Sequence, residues 1–212
     1  MAEVFEYRGI DGLVIAEVLK DDNEEEGGYV TGPVEPLLPV AEIGKTTESS
    51  SEAHYYDNQP MIIVTGEGPD EITITGAGLP TETRAKITGR SYDEDTGALI
   101  EGPRKIRYFA IGYRTMDTSG HYRLVWRYKG TFNIPDENHK TADSGTEANG
   151  TELVYTGIYT NHIFTKGALN EDGSWEPATG KGIVVDAYKG LADVSTFFDS
   201  VTTSDTLKVK GA

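Results

Sequence analysis

The side chains of this chain that could do chemistry are histidines, carboxylates and glycine-rich turns, and none has the spacing of a recognisable site. The four histidines lie far apart, without the helical ligand spacing of a zinc site. The chain has no cysteine and no Gly-x-Ser-x-Gly nucleophile turn. The runs GEGPDE and GAGLPT lack the residues that complete a phosphate-binding or dinucleotide-binding loop. We therefore predict no catalytic, cofactor-binding or metal-binding residues.

Two acidic stretches could be interpreted as ion sites, but both fit turns better. Residues 21–28, DDNEEEGG, are consecutive acids without a ligand-spaced loop, which predicts a solvated turn. Residues 93–97, DEDTG, lack the later ligands of a calcium loop and predict a hairpin turn. A glycosidase would need two carboxylates converging in a cleft. An enzyme on a β-sandwich therefore remains an alternative only if the fold brings two carboxylates together.

Charge is distributed unevenly along the chain, whose formal net charge is −16. Residues 104–130 carry seven basic side chains and one acidic side chain, whereas the segments on either side are acidic. A chain this acidic is poorly suited to grip phosphates, although it could border DNA without holding it. We expect the basic segment to meet acidic surface of its own chain or of a neighbouring copy, with an ordinary solvated face as the alternative.

The bulk features of the sequence predict one domain over residues 1–212. A chain of 212 residues can bury a core without disulfides. The N-terminal residues MAEVFEYRG lack the basic start and the apolar run of a signal peptide. No apolar segment is long enough to span a bilayer. We expect a soluble protein that is made in the cytoplasm and has no membrane partner.

Three long segments between Lys105 and Phe164 have the composition of β-strands. In the middle segment, HYRLVWRYKGTFNIP (121–135), aromatic and aliphatic residues alternate with mostly basic ones. Successive strand side chains point to opposite faces, so we expect one face in the core and a basic face elsewhere. Shorter strand patterns precede this block at Leu13–Leu19, Val40–Ile43, Met61–Thr65 and Glu71–Thr75.

Three connecting segments carry further predictions. Residues 79–89, LPTETRAKITG, predict a helix that Pro80 begins and Gly89 ends. The turn GEGPD is expected to join the last two short strands, and residues 136–150 are expected to form a polar loop.

Two longer stretches lack strand patterns. Residues 45–60, KTTESSSEAHYYDNQP, are predicted to form a long mobile loop, and such loops are uncommon unless functional. Residues 165–212 are rich in turn formers and are expected to be a C-terminal extension. Within this extension, apolar residues at helical spacing over 191–201 predict a short amphipathic helix.

Taken in order, these features resemble the major tail protein, or tail tube protein, of long non-contractile-tailed bacteriophages of the phi13-like type. The resemblance depends on HYYDN (54–58), the helix around 80–89 and the run RLVWRYKGTF (123–132). It covers residues 1 to about 165. The resemblance implies an all-β fold, a β-sandwich of two packed sheets with one flanking helix, a long polar loop and extended termini.

The same resemblance implies a structural role in the virion tail. Copies would assemble into stacked hexameric rings that form the conduit for genome ejection, and DNA would pass through the lumen without specific binding. Further partners would be other tail proteins, such as the tape measure and the tail terminator, and no cofactor is implied. The loop 45–60 would reach a neighbouring subunit; its candidate contact residues are Thr47, Ser50, Glu52, His54, Tyr55, Tyr56, Asp57 and Asn58. The basic strand face would supply inter-subunit charges from Arg123, Arg127 and Lys129.

A carbohydrate-binding β-sandwich module is the alternative from another functional class. Such a module needs exposed aromatic rings on one face, and the candidates are Tyr55, Tyr56, Trp126 and Trp175. Burial of Trp126 would remove the strongest of them.

Overall fold

The computed structural model describes residues 5–23, 28–136 and 150–211. Within these ranges, antiparallel strands form a nine-stranded sheet and two two-stranded sheets, accompanied by one α-helix. The prediction of an all-β fold with one flanking helix is confirmed. The packed layers belong to one continuous large sheet, which curls until its last strand returns beside its first long strand.

The strands and helices are as follows in chain order. The first five strands are β1 (Tyr7–Asp21), β2 (Tyr29–Thr31), β3 (Glu35–Pro36), β4 (Val40–Tyr56) and β5 (Gln59–Gly76). The helix α1 (Thr81–Thr88) precedes a small hairpin of β6 (Ser91–Asp93) and β7 (Ala98–Ile100). The remaining strands are β8 (Phe109–Asp117), β9 (Tyr122–Phe132), β10 (Thr151–Gly157), β11 (Phe164–Leu169), β12 (Trp175–Ala178) and β13 (Gly182–Asp186). A short 3-10 helix (Ala187–Lys189) follows β13.

Strand β9 lies at the centre of the large sheet. The main strand order is β2-β1-β8-β9-β10-β5-β4, with β3 paired to β1 and β13 paired to β9. One edge of β9 bonds to β8, and the other edge bonds first to β13 and then to β10. Both edges of this strand are therefore occupied by strands from distant parts of the chain.

Apolar side chains are buried on both faces of the sheet. An inner cluster inside the curl contains Ile72 and Ile74 of β5, Val125 of β9 and Ile87 of α1. An outer cluster on the opposite face contains Trp126 together with other apolar residues of the sheet and the C-terminal segment. The prediction of one apolar and one basic face for β9 is therefore wrong in part. Val125, from the predicted basic face, is buried like Trp126 and Tyr128, whereas Tyr122, from the predicted apolar face, is 40% exposed.

The predicted helix at residues 79–89 is confirmed. Ala85 and Ile87 are buried, and Gly89 ends the helix in the left-handed conformation at φ 68°. Glycine reaches this conformation without steric strain. The predicted hairpin around DEDTG is also confirmed, because β6 and β7 pair on either side of that turn. Residues 24–27 of the acidic turn and 137–149 of the predicted polar loop lie outside the described residues.

The prediction that residues 45–60 form a loop is wrong, as is the prediction of a turn at GEGPD. Both segments belong to one long hairpin, in which β4 and β5 pair up to a tip at Asp57 and Asn58. These two residues have positive φ angles of 50° and 60°, which Asp and Asn tolerate in tight hairpin turns. The sequence does not alternate here because neither face of this part of the hairpin is buried.

The C-terminal segment is part of the domain rather than an extension. Strand β13 bonds to β9, and Phe197 and Val201 lie in the outer cluster. The helix predicted at 191–201 is wrong, since turns replace it. The side chain of Asp193 accepts a hydrogen bond from the backbone N–H of Ser195, which favours a turn over a helix. The apolar spacing indicated burial correctly but not the backbone conformation.

The buried Trp126 links the sheet to this C-terminal cover. Its side chain is 0% exposed, and its Nε1 donates a hydrogen bond of 2.9 Å to the carbonyl of Phe197. We expect Trp126→Ala to lower the free energy of unfolding by about 3–5 kcal/mol, because it leaves a large cavity. Trp175→Ala is the matched control: with 54% of Trp175 exposed, the expected change is below about 0.5 kcal/mol. Urea unfolding followed by circular dichroism measures both, and equal losses would contradict this account of the core.

Candidate assembly surfaces

The outer part of the β4–β5 hairpin forms an arm that extends beyond the body of the domain. We define the arm as residues 48–67, in which every described side chain is exposed. Its two strands stay paired from Ser49 and Glu67 towards the tip. Ten residues of extended strand give it a length of about 30 Å. An isolated two-stranded hairpin is marginally stable, so the arm depends on its continuity with the large sheet.

The arm exposes large apolar side chains on both of its faces. Six of them are between 51% and 66% exposed: Tyr55, Tyr56, Met61, Ile62, Ile63 and Val64. Ile62 and Val64 point to one face, whereas Met61 and Ile63 point to the other, because strand side chains alternate. Contiguous exposed apolar surface on a soluble chain usually marks a contact with another molecule.

Seven of the eight residues predicted from the polar segment lie on the arm. They are Ser50, Glu52, His54, Tyr55, Tyr56, Asp57 and Asn58. Thr47 lies instead at the base, where its Oγ1 donates a hydrogen bond of 2.9 Å to Asp70. Sequence reasoning missed the contribution of residues 61–64, which were predicted only as part of a short strand, Met61–Thr65. The available signal was the unbroken apolar run MIIV, which does not alternate as a half-buried strand would.

A buried carboxylate anchors the base of the arm. Asp70 is 2% exposed and lies within 3.2 Å of the Lys45 ammonium and 3.3 Å of the Lys181 ammonium. Lys181 also donates hydrogen bonds of 2.6 Å to Glu67 and to the carbonyl of Gly68. Because Lys181 directly precedes β13, these contacts connect the arm to the strand beside β9.

The charges at this base are mutually stabilised. Burial alone would raise the pKa of Asp70, but hydrogen bonds from Thr47, Lys45 and Lys181 lower it below its ordinary value of 3.8. Hydrogen bonds from Lys181 and Tyr159 likewise lower the pKa of Glu67. The carboxylates therefore stay ionised at neutral pH, and their contacts with Lys181 connect the base of the arm to β13.

A groove opens where the curled sheet fails to close between β1 and β4. Its volume is about 670 Å³. Arg123, Val125 and Arg127 of β9 line the groove, and the other lining residues belong to β1, β4, β8 and β13. Arg8 of β1 adds a third cation. We call this feature the arginine groove.

The three arginines of the groove have different partners. Arg123 donates from Nε to Asp186 at 2.7 Å and lies over the ring of Tyr7. Arg127 has a buried Nε with no hydrogen-bond partner, and the buried Oγ1 of Thr115 is also unpartnered. Neither Arg127 nor Arg8 forms an ion pair with any residue that the structure describes. Native proteins leave few buried polar groups unpaired, and the other two such atoms among the described residues, Arg90 Nε and Tyr128 Oη, belong to residues that do not line the groove.

Lys129, the third predicted basic candidate, lies outside the groove. The pairing of β8 with β9 shifts register between Ile111–Arg127 and Phe109–Gly130, which inserts one extra residue in β9. Such a bulge redirects side chains, so Lys129 no longer shares a face with Arg127. Its ammonium contacts Asp21 at 2.5 Å, and its side chain is 8% exposed. The expectation that basic residues meet acidic surface of the same chain is therefore confirmed here, whereas a single basic face is wrong.

The aromatic candidates for carbohydrate binding are not brought together. Trp126 lies in the core, Trp175 is exposed on β12, and Tyr55 and Tyr56 lie on the arm. Among the described residues, no group of three or more histidine and acidic side chains is placed to hold a metal ion. No helix in the described ranges is long and apolar enough to cross a membrane.

The base of the arm gives the protein a testable pH dependence. The folded-state pKa of Asp70 is depressed, so its stabilising effect is present above 3.8 and is lost as the pH falls further. We expect Asp70→Asn to lower the free energy of unfolding by about 1–3 kcal/mol at pH 7, and this difference should shrink by pH 3. Urea unfolding at pH 7, 5 and 3 measures the effect. Asp57→Asn at the tip is the control, and a difference for Asp70→Asn that is independent of pH would contradict the assignment.

Comparison with known proteins assigns no family to the chain: no family model matches it, and no curated protein matches its sequence. What the arm and the arginine groove can do therefore follows from their own geometry and charge. One surface offers exposed apolar side chains on a supported hairpin, and the other offers a cation with an unsatisfied donor.

Proposed function

We propose that this protein is the structural subunit of a phage tail tube. In this role, copies assemble into hexameric rings, and the rings stack into the conduit through which the genome is ejected. The proposal combines the sequence resemblance with one structural observation, the exposed apolar arm. The all-β fold with one flanking helix agrees with what the resemblance implies.

The arm carries the proposal because its apolar surface has a use only in contact with another molecule. Removing apolar surface from water stabilises a contact by about 25 cal/mol for each Å² buried. The paired strands and the Lys181–Asp70 ion pair order the arm before it binds, so little conformational entropy is lost on binding. A contact between two different surfaces of identical subunits generates closed rings or continuing filaments. Ring formation and stacking both require contacts of this kind.

The overall charge supports a conduit for DNA rather than a DNA-binding protein. The net charge of −16 opposes contact with phosphates. Several cations of the basic segment are engaged within the chain: Arg123 with Asp186, Lys129 with Asp21, and Arg114 with Asp11. In the proposed tube, DNA passes through the lumen without specific binding, and the other partners are tail proteins such as the tape measure and the tail terminator.

Shortening the arm tests the proposed function. In the variant, Asn-Gly replaces residues 51–65, so that the paired Ser50 and Gly66 are joined by a two-residue hairpin turn. We expect the parent protein to form rings or tubes as its concentration rises, and the shortened variant to stay monomeric. Light scattering and electron microscopy measure assembly.

The control is the fold of the shortened variant. Because the removed side chains are exposed, the circular dichroism spectrum should stay β-rich, and the loss in free energy of unfolding should be below about 1 kcal/mol. A parent protein that stays monomeric at high concentration would contradict the tube proposal. Equal assembly by the parent and the shortened variant would show that the arm is not its assembly element.

A further inference from the structure

We propose that the arm of one copy docks in the arginine groove of a second copy, where Glu52 of the arm pairs with Arg127. This inference rests on the proposed function in that it takes the arm as an assembly element. Beyond the proposed function, the inference names the surface that receives the arm and the charge pair that makes the arm bind there.

The groove presents hydrogen-bond donors of a particular chemistry. The Nε–H of Arg127 is a hydrogen-bond donor that is buried without an acceptor among the described residues. The unpaired Oγ1 of Thr115 lines the same groove and can also donate. A carboxylate entering from outside supplies an acceptor for the Arg127 donor, whereas Thr115 pairs with Arg123, four residues along β9 from Arg127, so its hydroxyl belongs to another part of the groove. The uncharged part of the lining includes Ile10, Tyr113 and Val184, so apolar side chains beside that carboxylate would also be buried.

The arm presents this combination of groups. Between Ser50 and Gly66 its charged residues are Glu52 and Asp57, and this stretch contains no lysine or arginine. Glu52 is paired across the strands with Val64, and His54 with Ile62. Directly paired residues share a face, so Glu52 lies beside two exposed aliphatic side chains. The groove lining carries Arg8, Arg123 and Arg127 against one carboxylate, Glu42, so this face of the arm complements its net positive charge as well as its apolar residues.

The arm that fills a given groove must come from a different copy. Ala41–Ile43 at the start of β4 line the groove, and the arm begins five residues further along the same strand. From there it runs about 30 Å outward as paired extended strands, which prevents it from folding back. The donor and acceptor surfaces are distinct, so each copy can give an arm to one neighbour and receive an arm from another. This is a head-to-tail contact that propagates.

Charge reversal tests the pair directly. We expect Arg127→Glu and Glu52→Arg each to raise the concentration needed for assembly at least about tenfold, because each places like charges in contact. The double variant Glu52→Arg with Arg127→Glu should assemble near the parent concentration. Lys208→Glu is the matched control for Arg127→Glu, since it makes the same change in net charge at an exposed site away from the groove. Single reversals that assemble like the parent would overturn the pairing.

Cysteine cross-linking supplies a test that does not depend on a stable Arg127 variant. The chain has no cysteine, so introduced thiols are the only ones present. Ile62→Cys on the arm and Val184→Cys in the groove, combined in one chain, should give a ladder of covalent oligomers under oxidising conditions. A mixture of the two single variants should give dimers that contain one chain of each. Ile62→Cys combined with Leu191→Cys, an exposed residue elsewhere, is the control and should not cross-link above background.

The outcomes separate this inference from the proposed function. If the shortened arm abolishes assembly but the groove variants assemble normally and no ladder forms, the tube proposal stands and the groove is not the receiving surface. A ladder together with rescue by the double reversal supports the inference. A parent protein that does not assemble, together with an Ile62→Cys and Val184→Cys double variant that gives no ladder, overturns both.

Discussion

The position of β9 is the constraint on which the rest of the structure depends. Strands occupy both of its edges, and apolar clusters cover both of its faces. Val125 has to stay inside the inner cluster, so Arg123 and Arg127 are held on either side of it on the same face. Burying a guanidinium group requires a partner that replaces water. Asp186 supplies that partner for Arg123, whereas Arg127 is left with an unpaired donor. The groove can therefore offer a hydrogen bond from Arg127 but not from the Nε of Arg123.

The arm shows what sequence patterning can and cannot predict. Alternation identifies strands with one buried face, as it did for Ile72 and Ile74 at the sheet end of β5. The continuation of the same strand has no buried face, so its residues carry no period and resemble a loop next to a separate strand. Its backbone is held by cross-strand hydrogen bonds and by the base around Asp70, neither of which depends on hydrophobic spacing. The polar composition of residues 45–60 predicted the exposure of this segment but not its conformation.

Long-range electrostatic pairing accounts for most of what the sequence could not predict about the candidate site. Lys129 and Asp21 are 108 residues apart in sequence, and Arg123 and Asp186 are 63 apart. The charge distribution of the sequence predicted that the basic segment would meet acidic surface. Only the strand order determines which carboxylates lie next to which basic side chains. The bulge in β9 then separated Lys129 from Arg127, against the two-residue period. By contrast, the helix at Thr81–Thr88 was predictable because Pro80 and Gly89 act locally.

The strong acidity of the chain gives these two surfaces their selectivity. Copies with a charge of −16 repel one another through most of their surfaces, which disfavours random association of the exposed apolar arms. An unpaired cation in a groove is then a rare place where an acidic arm is attracted rather than repelled. Salt at physiological strength screens exposed charges beyond about 8 Å but affects buried pairs much less. Raising the salt concentration therefore weakens the general repulsion more than a docked Glu52–Arg127 pair. In the proposed assembly, the acidity of the chain suppresses wrong contacts, and Arg127, with its buried Nε, directs the right one.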